Sequence, residues 1–310
     1  MTANGTNGVH TPMSAATKLR RMIEDPNGFV AAPGVHDGLS ARTVLEQGGF
    51  DCLYMTGAGT TASRLGTADL GIATINDMRA HAEMIANLDP SIPLIADMDT
   101  GYGGPVMVAR SVEAYARSGV AGFHIEDQVQ QKRCGHLLGK QLVDEETYVS
   151  RIRAAVAARK RIGSDIVIIA RTDALQSLGY DAAIQRLKAA RDAGADVAFL
   201  EGMTDKEMCR RAVKDLAPWP SLLNMVEYGV TPIISADEAK EMGFKVIIWP
   251  FATVVPAYVA MRDAIKGLKK TGVQNTPEGI GPRKIFEVCG LEGYMAFDAE
   301  TGGTMYAKGA

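Results

Sequence analysis

The stretch DIVIIART, residues 165–172, is a short apolar run that ends in polar residues. A strand is continuously apolar when both of its faces are buried, as in a parallel sheet covered by helices. The sequence predicts eight such strands, because seven similar runs lie at residues 29–36 (FVAAPGVH), 52–57 (CLYMTG), 93–99 (PLIADMD), 122–128 (GFHIEDQ), 197–202 (VAFLEG), 221–227 (SLLNMVE) and 245–250 (KVIIWP).

The segments between these runs have the apolar spacing of amphipathic helices, for example at residues 106–118 and 180–193. Several of them end in a glycine, the residue that commonly terminates a helix, at Gly119, Gly194 and Gly243. A repeated strand–helix unit is compatible with an open doubly wound sheet or with a closed barrel. Eight units favour closure, so we predict an α/β fold, a (β/α)8 TIM barrel.

Length and composition fit one barrel with extensions at both ends. The chain has 310 residues, of which 46% are hydrophobic and 22% charged, which is enough apolar material for a large core. Residues 1–17 are rich in Thr, Asn, Gly and Ala and predict a flexible arm, residues 18–270 the catalytic barrel, and residues 271–310 a helical extension and tail.

The same numbers exclude several classes of partner. The formal net charge is −3 and no basic run is present, so we expect no nucleic-acid partner. No apolar stretch approaches the roughly 18 residues that a membrane span needs, and the first residues lack a secretory apolar core. The four cysteines are far apart and form no CxxC pair, which predicts neither disulfides nor zinc but a reducing, cytoplasmic location.

Polar residues collect at the carboxyl ends of the predicted strands, the face where such barrels carry their active sites. Core packing does not account for charges at strand ends. The residues concerned are Asp97, Asp99, Glu126, Asp127, Arg171, Glu201, Asn224 and Glu227.

Two carboxylates in the third run, Asp97 and Asp99, are separated by one residue and are expected to point to the same side of a strand. With Glu126 from the neighbouring strand they suit Mg²⁺ or Mn²⁺, which prefer oxygen ligands. The glycine-rich turn at residues 100–104 supports this reading, since it lets the backbone approach the site. The alternative is that these acids pair with Arg171 or cap the following helix.

A cationic loop follows the fourth strand, and its sequence at residues 131–136 is QKRCGH. Cys134 lies between Lys132, Arg133 and His136, so we expect a lowered thiol pKa and a role as acid or nucleophile. A mobile loop reaching to about Lys140 would act as a lid over the metal. For Cys52 and Cys209 we expect ordinary burial.

The motif KRCGH after HIEDQ, with DMDTGYG upstream and ARTDA downstream, resembles the isocitrate lyase and phosphoenolpyruvate mutase superfamily. The similarity covers residues 19–270, and it is strongest to the short lyases: methylisocitrate lyase, 2,3-dimethylmalate lyase, petal death protein and oxaloacetate acetylhydrolase. Phosphonate-acting members resemble the chain in barrel and metal site but lack the cysteine.

This resemblance implies a set of site residues. It implies that Asp97 and Asp99 hold Mg²⁺, with Glu126 acting through water, and that Cys134 protonates the departing enolate. The implied catalytic set is Cys134, Arg171, Glu201, Tyr54 and His136, and the implied substrate contacts are Tyr54, Thr56, Gly57, Ala58, Gly135, His136, Arg171, Glu201, Asn224 and Thr253.

The implied reaction is a retro-aldol or retro-Claisen cleavage of a small 2-hydroxy or 2-oxo dicarboxylate. Glu201 and Tyr54 are alternative bases. Methylisocitrate lyases carry an arginine where this chain has Val255, which disfavours a tricarboxylate. Oxaloacetate hydrolases carry a serine where this chain has Thr253. We therefore expect a 2,3-dimethylmalate-type lyase, with oxaloacetate acetylhydrolase, methylisocitrate lyase, a phosphonate-acting enzyme and a non-catalytic barrel as alternatives.

The resemblance also implies assembly. In this superfamily the last helices exchange between subunits and the enzymes are usually tetramers, so we expect a homotetramer. The alternative is that the apolar residues of the tail pack on their own barrel.

Overall fold

The computed structural model describes residues 13–306, and within them eight parallel strands close into a barrel in sequence order. The last strand pairs with the first, for example at Val30 and Val246. The predicted strands and the barrel are confirmed; the strands are β1 (Val30–Val35), β2 (Leu53–Met55), β3 (Leu94–Asp97), β4 (Gly122–Glu126), β5 (Val167–Thr172), β6 (Val197–Leu200), β7 (Ser221–Asn224) and β8 (Val246–Trp249).

Helices alternate with the strands and cover the outside of the barrel. Gly119, Gly194 and Gly243 have positive φ angles of 88°, 103° and 95° just after helices, as the sequence predicts. The helices are α1 (Ala15–Glu24), α2 (Gly38–Gln47), α3 (Gly57–Thr60), α4 (Ile75–Ala86), α5 (Pro105–Arg117), α6 (Glu145–Arg161), α7 (Ala174–Leu178), α8 (Tyr180–Asp192), α9 (Lys206–Leu216), α10 (Ala236–Glu241), α11 (Val254–Thr271), α12 (Pro282–Val288) and α13 (Leu291–Glu300), and one π-helical turn (Thr61–Leu65) follows α3.

Helix α1 closes the amino-terminal end of the barrel. Its residue Leu19 is fully buried in one cluster with interior residues of the strands, such as Ile95 and Phe199. The side chain lies so close to Gly122 that a Cβ there would come within 2.9 Å of it. Arg20 fixes the helix by an ion pair of 2.9 Å to Asp196. The opposite, carboxyl end is therefore the end that is left for a site.

The predicted arm ends earlier than residue 17. Helix α1 begins at Ala15, because Ser14 accepts a hydrogen bond from the Thr17 amide at 3.1 Å and caps it. The Thr17 hydroxyl also donates to Asp165 at 2.6 Å. Residues 1–12 of the predicted arm and residues 307–310 of the predicted tail lie outside the described part of the chain.

Helix α11, which follows β8, has no buried residue along its length. Tyr258, Met261 and Ile265 on this helix are 59%, 61% and 64% exposed, although an eighth helix would be expected to pack on the barrel. The next helix, α12, lies instead near α2, with Lys284 Nζ 2.7 Å from Glu46 Oε1. The C-terminal helices thus present an apolar surface that their own barrel leaves uncovered.

The sequence predicts neither a membrane-spanning helix nor a disulfide. Of the helices between residues 13 and 306, none is both long enough and apolar enough to cross a bilayer. The four cysteines all lie in this range, and all are free thiols. The cytoplasmic location stays a prediction.

Candidate active site

A small cavity of about 30 Å³ lies at the carboxyl ends of the strands. It brings together most of the predicted site residues from several strand ends and from the loop that carries the cysteine. The lining consists of Tyr54, Thr56, Ala58, Asp69, Asp97, Cys134, Gly135, His136, Arg171, Phe199, Glu201, Asn224, Val226, Pro250 and Phe251. Gly57, Asp99, Glu126 and Thr253 lie outside this lining. Gly57 still packs on the site, since a Cβ there would come within 2.2 Å of Asp97 Oδ2.

The two aspartates of the third run do not share one strand face. Strand β3 ends at Asp97, and Asp99 has a φ of 46°, in the left-handed region. The expectation that alternation along a strand aligns them is therefore wrong, because the chain turns between them. The turn still keeps both carboxylates buried and adjacent: the Asp99 amide donates to Asp97 Oδ1 at 2.9 Å.

Burial raises the pKa of both aspartates. The pKa of Asp97 is raised by burial and that of Asp99 is raised to about 7, although the Lys132 ammonium opposes both shifts. Burial also raises the pKa of Glu126 well above its usual value, against the opposing charge of Arg171. The carboxylates thus lie where their negative charge is incompletely compensated.

Glu126, the last residue of β4, forms an ion pair with Arg171. Its Oε1 accepts from Gln128 Nε2 at 2.7 Å, and its Oε2 lies 3.1 Å from Arg171 Nη1. The alternative that the acids pair with Arg171 therefore holds for Glu126. Capping does not account for Asp97 and Asp99, since α5 begins at Pro105 and its N-cap is Gly104, with no side-chain cap.

A buried lysine from the loop after β4 lies between two of the acids. Lys132 Nζ is 2.5 Å from Asp69 Oδ1 and 2.6 Å from Asp99 Oδ1, and its side chain is 3% exposed. Burial alone lowers the pKa of Lys132, but the carboxylates of Asp99 and Asp69 raise it well above the usual value. The lysine is therefore charged at neutral pH.

The acids also suit a divalent cation. Asp69, Asp97, Asp99 and Glu126 lie around two cations, Lys132 and Arg171, so negative charge is in excess at these buried oxygens. Within residues 13–306 no three acids, histidines or cysteines are gathered as a ready-made metal site. Mg²⁺ typically takes one or two carboxylates and completes its shell with water and substrate oxygens, which this arrangement permits. Oxygen donors and surplus charge therefore fit Mg²⁺ or Mn²⁺.

Residues 129–140, here called the lid, cover the cavity. The Cys134 amide donates to Asp69 O at 3.2 Å, and Lys140 Nζ donates to Asp173 Oδ1 and to Gly135 O, both at 2.8 Å. A Cβ on Gly135 would come within 2.5 Å of Arg171 Nη2. The backbone of the lid can approach the arginine this closely because residue 135 is glycine.

The expected lowering of the Cys134 pKa is wrong. Burial raises the pKa of this thiol, and the nearby Asp69 adds to the rise, whereas a hydrogen bond with the His136 backbone, Arg171 and Lys132 only partly oppose it. Arg133, counted among the flanking cations, is exposed and donates to Leu138 O at 3.1 Å. The thiol therefore keeps its proton at neutral pH, which suits an acid and not a nucleophile.

Several polar atoms in the cavity wall have no hydrogen-bond partner within the described residues. They are Glu201 Oε1, Asn224 Oδ1 and both ring nitrogens of His136. Asn224 Nδ2 donates to the other oxygen of Glu201 at 2.9 Å, which fixes the two side chains against each other. Buried polar atoms without partners are costly, so their gathering here indicates a polar ligand.

Arg171 is held rigidly at the centre of the site. Its Nε donates to Asp173 Oδ2 at 2.9 Å, and its guanidinium carbon lies 5.2 Å from the centre of the Phe199 ring. Burial opposes its charge, but Asp173, Glu126 and Glu201 raise its pKa well above the usual value. A permanent, oriented cation of this kind binds carboxylates well.

The sequence did not reveal His124, a buried histidine of β4. Its Nε2 lies 2.8 Å from Tyr54 Oη, and its Nδ1 lies 3.6 Å from Asp97 Oδ1. Burial lowers the pKa of His124 well below its usual value and, with Asp97, raises that of Tyr54 well above it. A neutral histidine thus accepts the hydrogen bond of a protonated tyrosine. In the sequence, His124 is the first residue of HIEDQ, and nothing in that motif distinguishes it from an ordinary strand residue.

Thr253 is not brought to the cavity. Its hydroxyl donates to Gly34 O at 2.8 Å and therefore accepts from His36 Nδ1, also at 2.8 Å. Both partners lie on or next to β1. Val255, the residue at the predicted arginine position, is half exposed in a groove beside the site, and the cavity wall on that side is formed by Pro250 and Phe251.

Comparison with known proteins agrees with this geometry. The family model described as phosphoenolpyruvate phosphomutase matches residues 19–269. The chain is 40% identical to the 2,3-dimethylmalate lyase of Eubacterium barkeri over 268 residues, which covers 85% of this chain and 91% of the relative.

Three solved structures superpose on the chain, and the first two are more similar to it in sequence than the Eubacterium relative. A 2,3-dimethylmalate lyase superposes with a TM-score of 0.95 at 63% identity, covering 97% of this chain and 99% of that one. An oxaloacetate acetylhydrolase in complex with 3,3-difluorooxaloacetate gives 0.93 at 60% identity, covering 95% and 99%. A phosphonopyruvate hydrolase with oxalate and Mg²⁺ gives 0.81 at 28% identity, covering 93% and 99%. The chain belongs to the phosphoenolpyruvate mutase and isocitrate lyase superfamily, and it is a carbon–carbon bond lyase of that superfamily.

Proposed function

We propose that this enzyme cleaves the bond between C2 and C3 of a 2,3-dialkylmalate such as 2,3-dimethylmalate, giving a 2-oxo acid and a carboxylate, with Mg²⁺ or Mn²⁺ as cofactor. One observation carries the proposal: the protonated thiol of Cys134, the cation of Arg171 and the carboxylate of Asp97 line one small cavity under a closed lid. The relatives named for this reaction and the Mg²⁺ complex of a neighbour support it.

Binding of the substrate and stabilisation of its developing charge are assigned to residues at and beside the cavity. A divalent cation held by Asp97 and Asp99, with Glu126 behind them, would supply positive charge for the oxygens at C1 and C2 of the substrate. Arg171 binds a substrate carboxylate and stabilises the charge that develops there. The Thr56 hydroxyl and the backbone amides of Gly57 and Ala58 would bind one substrate carboxylate, and the backbone amides of Gly135 and His136 in the lid would bind another.

Glu201 is the base that this arrangement favours. Its Oε1 has no donor within the described residues and borders the cavity, whereas Tyr54 holds its proton tightly. Glu201 takes the proton of the 2-hydroxyl, the C2–C3 electron pair moves into the departing dienolate, and Cys134 Sγ gives its proton to C3. When the lid opens, Glu201 releases its proton to solvent and the thiolate takes a proton from solvent, which restores the starting state.

The shape and charge of the wall select the substrate. Val226, Pro250 and Phe251 form an uncharged side of the cavity that suits an alkyl group at C2 or C3. The third carboxylate of methylisocitrate would lie against this uncharged side of the cavity without a cation to pair with. Oxaloacetate, the second candidate, has no alkyl group to fill it, and the hydroxyl of Thr253 is already bound to Gly34.

A product panel tests this choice. With Mg²⁺ present, we expect pyruvate release from 2,3-dimethylmalate to exceed oxalate release from oxaloacetate by roughly 10-fold or more in kcat/KM, the discrimination that a methyl group in an apolar pocket provides. Faster oxalate release would establish the hydrolase instead. Turnover of 2-methylisocitrate or phosphonopyruvate alone, or of no substrate, would contradict the proposal.

Thr253→Ser is a matched variant for the same panel. Serine keeps the hydroxyl but turns more freely about χ1 than threonine, so we expect it to leave Gly34 O and turn toward the cavity. We expect oxalate release to rise several-fold while pyruvate release stays unchanged. Equal changes in both activities would show that position 253 does not control the choice.

We further propose a homotetramer in which α11 packs on a neighbouring barrel. The exposed apolar residues Tyr258, Met261 and Ile265 support this, because such a surface is rarely left in water. Ile265→Asp is expected to lower the mass measured by light scattering from that of a tetramer to that of a smaller species, and Lys269→Asp, at an exposed charged position, to leave it unchanged. A monomeric parent protein would contradict the proposal.

A further inference from the structure

Lys132 belongs to the lid, yet its ammonium forms ion pairs with Asp99, a residue of the proposed metal site, and with Asp69. One residue separates Lys132 from Cys134, and its ammonium lies 2.6 Å from Asp99 Oδ1 and 2.5 Å from Asp69 Oδ1. Asp99 Oδ1 has no other polar partner within the described residues, so the lysine is the group that balances its charge there. The contact is almost fully buried.

Asp69 is the docking point of the lid. Its carboxylate forms an ion pair with Lys132, and its backbone carbonyl oxygen accepts a hydrogen bond from the Cys134 amide at 3.2 Å. The loop that carries Asp69 also packs on the lid at Gly71, where a Cβ would come within 2.8 Å of Gln130 O. The lysine thus reaches from the lid across this docking point to Asp99.

We propose that Lys132 is a positioning residue that latches the lid onto Asp69 and Asp99, and that it competes with the divalent cation for Asp99 when no substrate is present. This inference rests on the proposed function in one respect, the binding of the cation at Asp97 and Asp99. The ammonium and the divalent cation would both be held by the Asp99 carboxylate, and two positive charges repel each other at short range. Closing the lid therefore weakens cation binding, and cation binding loosens the lid, since such coupling is reciprocal.

The consequence is an ordered exchange at one carboxylate. A lid latched by Lys132 shields the acids from water without a cation. Cation binding makes Asp99 less available to the lysine and leaves Asp69 to hold the lid more weakly. An anionic substrate then adds the negative charge that lets both cations stay under one closed lid, which brings Cys134 to the substrate only when both partners are present.

The test measures Mg²⁺ binding by calorimetry on the full-length, EDTA-treated protein without substrate, together with hydrogen exchange of residues 129–140. For Lys132→Met we expect Mg²⁺ affinity to rise by roughly 10-fold or more and lid exchange to accelerate. Arg133→Met is the matched control. It removes the same charge from the next residue, whose guanidinium bonds Leu138 O alone among the described residues, so both readouts should stay within about twofold of the parent.

Two further variants keep the test decisive if Lys132→Met fails to fold. Lys132→Arg retains the charge and should keep the parent's Mg²⁺ affinity within a few-fold. Asp69→Asn leaves Lys132 to Asp99 alone and should weaken Mg²⁺ binding several-fold. Unchanged or weaker binding in Lys132→Met, or unchanged binding in Asp69→Asn, would overturn the latch while the metal site stands. A parent protein that binds no Mg²⁺ would overturn both.

Discussion

Replacing Cys134 by alanine is expected to slow carbon–carbon cleavage by roughly 10²- to 10⁴-fold in kcat, the usual contribution of a positioned acid. The departing dienolate is a poor leaving group unless its carbon is protonated as it forms. Affinity for the substrate should change little, because Arg171 and the lid backbone still bind the carboxylates. Steady-state kinetics of pyruvate release measure both quantities.

The pH profile distinguishes an acid from a structural cysteine. Burial raises the thiol pKa, so the proton is present throughout the neutral range and is lost only as the pH rises through that elevated value. We therefore expect kcat of the parent to fall on the alkaline side, and this limb to change in Cys134→Ser. The exposed Cys289→Ser serves as control. Turnover of Cys134→Ala at the rate of the parent would exclude the assigned role.

Asp99→Asn is expected to weaken Mg²⁺ binding by roughly 10²-fold or more and to abolish turnover at low millimolar Mg²⁺, since it removes a charged oxygen ligand. The substitution is nearly isosteric, and the backbone bond from the Asp99 amide to Asp97 remains possible. Calorimetric titration of the EDTA-treated protein gives the affinity directly.

Asp144→Asn is the control for that substitution. Asp144 caps the first turn of α6 at the surface, and asparagine caps a helix as well as aspartate does. Its Mg²⁺ affinity and its activity should equal those of the parent. If Asp99→Asn bound Mg²⁺ as tightly as Asp144→Asn, Asp99 would have no part in the metal site.

The barrel could be predicted because each strand is buried on both faces. Continuous apolarity marks such strands, and every run except that of β5 overran the carboxyl end of its strand by residues that belong to the loops of the site. Strand β3 shows the consequence: the sequence predicted Asp97 and Asp99 together, but it gave no sign that the strand ends at Asp97. The left-handed turn at Asp99 was hidden, since that conformation usually favours glycine.

Most residues of the site could be predicted from the sequence, but their ion pairs and the direction of the Cys134 pKa shift could not. Flanking cations suggested a lowered pKa for Cys134, whereas in the fold Lys132 serves Asp69 and Asp99, Arg133 faces solvent, and burial dominates. Asp69 follows no strand, so no strand-end argument could find it. Pairing across the barrel depends on three-dimensional proximity, which spacing along the chain does not encode.

The central claim is that a divalent cation at Asp97 and Asp99 shares one closed cavity with the thiol of Cys134. A crystal structure of the complex with Mn²⁺ and oxalate, with anomalous scattering to locate the metal, tests it most directly. We predict the anomalous peak beside the two carboxylates, and Cys134 Sγ facing the oxalate beneath an ordered lid. A peak elsewhere in the protein, or a sulfur turned away from the oxalate with the lid closed, would contradict the account.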